Sequence, residues 1–202
     1  MTFTEVIKSN IGENRSFSSV SDVNDDAVGV HWFVAVVRHN SELKVAEQLR
    51  NQGLEAYVAT QPRLRIYASG RKKWVSQLII SSKVFVRCTE KQRLQVVHNP
   101  FVYRLLTNRS GDNVNGHRPV AVIPDKEIET LRFMLGQSDY PVDFQETPLN
   151  PGDSVKVIRG SLRGLEGKVI ETSPTHKTFV IQLDLLGCAK LTLPSSDVAL
   201  LS

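Results

Sequence analysis

The sequence predicts an α+β protein in two parts, a mixed sheet carrying helices and then a small five-stranded β-barrel. Three observations carry this expectation. Between residues 30 and 135, apolar runs of strand length alternate with segments of helical spacing. A stretch with two prolines and no periodicity, GQSDYPVDFQETPLN, follows at 136–150 and reads as a linker. Beyond it, over 151–202, short strand-like runs succeed one another between Gly- and Pro-containing turns, the pattern of a small barrel.

Each element has a local reason. Residues 1–29 are polar, acidic and aperiodic (SFSSVSDVNDDAVG), so they are expected to be a disordered tail. VHWFVAVV is an apolar run of strand length. Asn40 or Ser41 then caps a helix on which Leu43, Ala46 and Leu49 recur, and Gly53 ends it. LEAYVAT is a second strand, and RLRIY and KKWVSQLII flank ASGR in a basic hairpin. KVFVRC is a strand, TEKQRLQVVHN a short helix stopped by Pro100, and VYRLL another strand. RSGDNVNG reads as an irregular loop before the strand PVAVI. Pro124 opens a helix with acidic residues at its positive end and Ile128, Leu131 and Leu135 on one face. In the last part SVKVI, GKVIE, TFVIQLD, AKLTL and a run near Val198–Leu201 supply five strands.

Charge is unevenly distributed. The chain has 202 residues and a net charge of +4, yet residues 31–99 carry twelve basic and four acidic side chains, a net of +8. Such a segment attracts polyanions, the alternative being a solvated basic face without a partner. Hydrophobic residues make up 41% of the chain, and no apolar run approaches the roughly 20 residues that span a bilayer. MTFTEVIKSN lacks the pattern of a secretion signal, and Cys88 and Cys188, without CxxC spacing, read as reduced thiols of a cytoplasmic protein.

Catalysis finds little support. The five histidines are scattered and none forms HExxH, so no metal site or cofactor is expected. GLEGK is not a phosphate-binding loop, because Leu162 stands where the first glycine belongs and Val169 where a hydroxyl would hold magnesium. The chain is read as a non-enzyme.

The stretch GDSVKVIRGSLRGLEGKVIE at 152–171, with Gly152, Asp153, Val155, Val157, Gly160, Gly164, Gly167 and Val169 in fixed spacing, resembles the KOW motif. It follows an α+β unit of the size found in the NusG family of transcription elongation factors. Trp32-Phe33 resembles that family's Trp-Tyr, and LKVAEQL and Tyr57–Thr60 fall in family order. The resemblance implies an NGN domain at 30–135 and an SH3-like KOW barrel at 151–202. Ser81-Ser82-Lys83 stands where most members have Pro-Gly-Tyr. That stretch, SSKVFVR, and PVAVIPDKEIETLRFML are most similar to the UpxY-type specialised antiterminators of Bacteroidetes, which act on capsular polysaccharide operons. General NusG coupling to Rho or the ribosome, and a ribosome-associated KOW protein, are the alternatives.

The resemblance also implies sites and partners for a monomeric cytoplasmic factor. Val36, Ile79, Ile80 and Phe85 match the apolar patch that takes the β′ clamp helices of RNA polymerase, or are plain sheet core. Arg38, His39, Lys44, Gln48 and Asn51 would face the non-template DNA strand of the transcription bubble, with Arg71, Lys72 and Lys73 at the hairpin adding phosphate contacts. The KOW loop, with Gly160, Arg163, Gly164 and Gly167, reads chiefly as barrel geometry, and as a surface for nascent RNA, Rho or a ribosomal protein.

Overall fold

The computed structural model describes residues 29–108, 118–146 and 152–201. The expected tail (apart from Gly29) and the loop RSGDNVNG lie outside the described residues. Along the chain come β1 (His31–Val37), α1 (Glu42–Asn51), β2 (Glu55–Tyr57), β3 (Thr60–Ile66), β4 (Lys72–Leu78) and β5 (Lys83–Cys88). Then follow α2 (Glu90–Val97), β6 (Val102–Leu105), β7 (Val122–Ile123), α3 (Asp125–Gln137) and β8 (Asp143–Gln145). The last strands are β9 (Ser154–Val157), β10 (Glu166–Thr172), β11 (His176–Leu183), β12 (Gly187–Pro194) and β13 (Val198–Leu200).

The first sheet runs β2-β5-β1-β6, with β7 pairing beside β6 on β1. Every pairing in it is antiparallel. The two helical connections, β1–α1–β2 and β5–α2–β6, each skip a strand, so the strands they join are never neighbours. Alternation along β1 divides the core. Phe33, Ala35 and Val37 pack with Val45, Ala46 and Leu49 of α1 and Val96 of α2. Trp32 and Val34 pack with Phe85 and with Ile128, Leu131 and Leu135 of α3. The sheet is thus held between α1/α2 and α3.

The first helix buries Ala46 and Leu49 as expected but not Leu43. Leu43 is 59% exposed, and the buried positions are Glu42, Val45, Ala46 and Leu49. Glu42 is only 2% exposed because its carboxylate accepts the Ser82 backbone N–H at 2.7 Å. Ser82 adopts φ +56°, a conformation that favours glycine. A buried anion on α1 therefore braces an unfavourable turn between β4 and β5. α2 starts on a capping box, with Thr89 and Gln92 exchanging side-chain and backbone bonds.

β3 and β4 form a separate two-stranded sheet. Gln61, 3% exposed, anchors its base. Its Nε2 donates to the carbonyls of Tyr140 (2.8 Å) and Ser138 (3.3 Å), and its Oε1 accepts from Val142 N–H (3.0 Å).

The second sheet runs β13-β9-β10-β11-β12-β8, all antiparallel. The five expected strands are present, and β8 adds a sixth from the stretch expected to be a linker. Phe144 of β8 pairs with Ala189 of β12, and Glu146 meets Lys83 at 2.6 Å. The core on the α3 side continues through Val142 into Val155, Phe179, Ile181 and Leu191 of this sheet.

All four glycines of the 152–171 stretch meet a constraint: a Cβ on Gly152 would clash with the Val169 carbonyl, and Gly160 has φ +79°. A Cβ on Gly167 would lie 2.5 Å from the Phe179 ring and 2.6 Å from the Val180 carbonyl oxygen. Gly164 has φ +95° in the loop between β9 and β10.

Candidate functional site

The four residues matched to an apolar patch share one sheet face. Val34 pairs with Phe85 across β1 and β5, Val36 follows two residues along, and Ile79 and Ile80 lead into β5. Their exposure differs. Val36 and Ile79 are half-buried, whereas Ile80 and Phe85 are 0% exposed. The expectation that Ile80 and Phe85 offer contact surface is corrected on this point, because both lie inside the core shared with α3. Phe85 sits against Tyr57, ring centroids 5.8 Å apart. Ile79 borders a crevice whose other walls include Val142, Phe144 and Lys190.

Arg132 of α3 crosses the same face. Its guanidinium lies 4.8 Å from the Trp32 ring and 4.7 Å from that of Tyr57, and it bonds Glu55 at 3.1 Å. Burial pushes the Tyr57 hydroxyl up to about 12 despite the nearby Arg132 charge. Burial, reinforced by Glu90 and opposed by Arg93, takes the Cys88 thiol to about 11, so it stays protonated at neutral pH.

The polar and basic candidates form two groups. Arg38 and His39 are exposed at the corner between β1 and α1. Lys44 is exposed on α1, its ammonium 4.6 Å from the Phe101 ring centroid. Gln48 is half-buried, accepting from Asn99 Nδ2 at 3.0 Å, and Asn51 is exposed. Arg71, Lys72 and Lys73 are exposed at the far end of the β3–β4 hairpin, a group set on a different sheet from α1.

The hairpin carries more than its tip. Cross-strand pairs Leu64–Trp74 and Arg65–Lys73, with period-2 alternation, give it two unlike faces. One bears Leu64, Ile66 and Trp74, which are 45%, 63% and 68% exposed. The other bears Arg63, Arg65 and Lys73. The alternation in RLRI and KKWV is the sequence signal for these faces, which net charge alone does not show. Gln95, His98 and Asn99, which adjoin Gln48 and Asn51 across a crevice, were also missed. Their nearness depends on the packing of α1 beside α2, which has no local sequence signature.

On the second sheet, Arg159, Arg163, Gly160 and Gly164 are exposed in the loop between β9 and β10, while Leu162 and Leu165 of that loop are buried. Among the described residues, no group of three or more His, Cys, Asp or Glu side chains could hold a metal ion. No helix among them is long and apolar enough to cross a membrane.

One acidic group sits where α3 meets the second sheet. Burial, with the neighbouring Asp184 charge, raises the Glu127 carboxyl from 4.5 to about 7, and a backbone hydrogen bond from Asp184 opposes the shift. The folded protein thus binds this proton more tightly than the unfolded chain. The associated stability is fully present below about pH 4.5 and is lost as pH rises through about 7. Glu127→Gln is expected to raise the melting temperature at pH 8 relative to wild type, and to flatten its fall between pH 5 and pH 8. The gain is of the order of 1 kcal/mol, since solvent screens a half-exposed group. Thermal melts of both proteins across that range check it.

Over residues 30–132 the chain matches the family described as NusG, transcription termination factor nusG. It is 26% identical over 157 residues to the transcription termination/antitermination protein NusG of Streptococcus pyogenes serotype M3, and equally to that of serotype M1. The alignment covers 72% of this chain and 83% of either relative. A solved structure concerning domain interaction in Thermotoga maritima NusG is 16% identical with a TM-score of 0.47. It covers 86% of this chain and 98% of that one.

Proposed function

The chain belongs to the NusG family of transcription termination factors, and on that premise we propose that it is a specialised elongation and antitermination factor riding on RNA polymerase. The family match across residues 30–132 is the observation that carries this reading. The polymerase's β′ clamp helices would meet the face bearing Val36 and Ile79, with Ile80 and Phe85 shaping it from beneath. The exposed corner and stripe from Arg38 to Asn51 would meet the non-template DNA strand. Cations there would hold phosphates and neutral amides would meet bases. The basic face of the β3–β4 hairpin would add backbone contacts. The factor would disfavour paused or termination-prone polymerase states by binding the active state more tightly, a population shift without bond chemistry.

Ser81-Ser82-Lys83 in the place of Pro-Gly-Tyr supports a specialised member acting on a capsular or exopolysaccharide operon in the cytoplasm. The exposed β9–β10 loop with Arg159 and Arg163 offers a surface for nascent RNA, Rho or a ribosomal protein.

The test uses the purified full chain with polymerase elongation complexes on a target leader template. Wild type is expected to be retained on the complex and to alter pausing within the leader. Arg38→Ala with Lys44→Ala is expected to abolish leader-dependent recruitment while leaving the fold intact, since both side chains are exposed. Normal recruitment of the double variant would remove the DNA contact from this account.

A further inference from the structure

The β3–β4 hairpin is a sheet of two strands, and neither outer edge pairs with another strand among the described residues. A lone two-stranded hairpin is marginally stable in water, and a third strand is one way such a sheet becomes stable. Gln61 anchors only its base. Along β4, only Val75 and Leu78 are half-buried, and the other five residues are exposed. An open edge of this kind is a template for a further strand.

The two edges differ. β3 carries Pro62, which has no N–H to give a neighbour and belongs on a free edge. β4 carries no proline, so its backbone can pair along its whole length. Cross-strand register puts Leu64, Ile66, Lys72 and Trp74 on one face, with Lys72 as the cation among them. A strand laid beside β4 meets this face with every second side chain. It fits best with two apolar residues and an acid between them, the acid opposite Lys72 and an apolar residue opposite Trp74.

The chain contains such a segment. Residues 2–7 read TFTEVI, in which Thr2, Phe3, Thr4, Val6 and Ile7 are strand formers. Phe3, Glu5 and Ile7 alternate onto one face. Glu5 beside Lys72 puts Phe3 or Ile7 beside Trp74, according to strand direction. No other stretch outside the described residues has a comparable run. Chain length permits the contact. The segment joins β1 at the end paired with Cys88, whereas the hairpin leaves near the end paired with Lys83. β1 and β3, of seven residues each, span roughly 45 Å laid end to end. The residues between Ile7 and Val30 reach about 75 Å when extended. A second copy of the chain is the weaker occupant. Three exposed side chains fall short of the roughly 800 Å² per partner of a stable interface. Residues 60–78 also carry Arg63, Arg65, Arg71, Lys72 and Lys73 and no acid, so two hairpins repel.

We propose that residues 2–7 add a third strand to the outer edge of β4, so that the chain covers its own hairpin. Backbone pairing holds the segment, Phe3 and Ile7 extend the apolar face, and Glu5 meets Lys72. The tether makes the encounter intramolecular, so a contact too weak to form between separate molecules still forms.

The test compares the full chain with a variant lacking residues 2–8 and with Val6→Pro, which removes a backbone donor from the added strand. Hydrogen exchange in peptides covering β4 is expected to be about tenfold slower in the full chain than in either variant, the factor one net backbone hydrogen bond supplies. Acrylamide quenching of tryptophan emission is expected to rise in both variants through Trp74, because Trp32 is only 4% exposed. Exchange in β10 and β11 is expected to be the same in all three proteins, which shows that the fold is kept. Equal exchange and quenching in the full chain and the deletion variant would overturn the proposal. Protection lost in the deletion variant but kept by Val6→Pro would overturn the strand pairing. Protection that grows with protein concentration would overturn the intrachain assignment in favour of a second copy.

Discussion

Phe85→Ala is expected to destabilise the protein by about 3–5 kcal/mol, the cost of emptying a phenylalanine site in a closed core. Phe85 is 0% exposed and stands opposite Val34 in the centre of the first sheet. It packs against Tyr57 and belongs to the core that α3 completes with Ile128, Leu131 and Leu135. Strands on both sides of β5 hold the backbone, so the site has little room to collapse around the lost ring. Val36→Ala, at a half-buried position on the same face, is expected to cost less than about 1.5 kcal/mol. The comparison separates support from contact. Val36 and Ile79 have surface to give to a partner, whereas Phe85 acts by shaping the sheet beneath them. Urea denaturation of the two variants measures the difference, and a Phe85→Ala protein within 1 kcal/mol of wild type would contradict the core assignment.

Gly167→Ala is expected to destabilise the second sheet by about 1–3 kcal/mol or more, as overpacking does. The added methyl would fall 2.5 Å from Cζ of Phe179 and 2.6 Å from the carbonyl oxygen of Val180. Neither neighbour gives way cheaply. Phe179 is 0% exposed, and the carbonyl belongs to β11, which pairs on both sides. Gly164→Ala meets no atom within 4 Å and pays only for its φ of +95°, about 1 kcal/mol. The larger loss at Gly167 would show in the same denaturation series on the full chain, with a tryptic digest reporting where the structure loosens. Equal losses at both positions would contradict the clash at Gly167 as the source of its larger cost.

Much of the first sheet was legible because its strands are continuous apolar runs. KVFVRC became β5 with both ends as expected, and α3 followed from Pro124 and the Ile128–Leu131–Leu135 spacing. Leu43 was misplaced for a physical reason. Glu42 occupies the core position because the Ser82 N–H satisfies its charge, and a hydropathy pattern gives no weight to a buried carboxylate. β8 was invisible for a related reason. Three residues without periodicity become a strand only when β12 offers an edge more than forty positions along the chain.

The candidate site divided along the same line. Arg38, His39, Lys44 and the hairpin cations stand out by charge, and the family resemblance is what implies their role. The crevice partners Gln95, His98 and Asn99 do not stand out, because only the packing of α1 and α2 on one sheet face brings them to Gln48. Ile80 and Phe85 were recognised as apolar residues of one face, but their depth is set by α3, which comes forty residues later.

The central claim is that this chain travels with RNA polymerase on a restricted set of transcription units. Chromosome-wide occupancy of the chain, mapped beside that of the polymerase β′ subunit, tests it most directly. The account predicts coincident occupancy confined to one or a few operons and beginning within their leaders. Occupancy unrelated to polymerase, or recovery with ribosomal RNA alone, would contradict it.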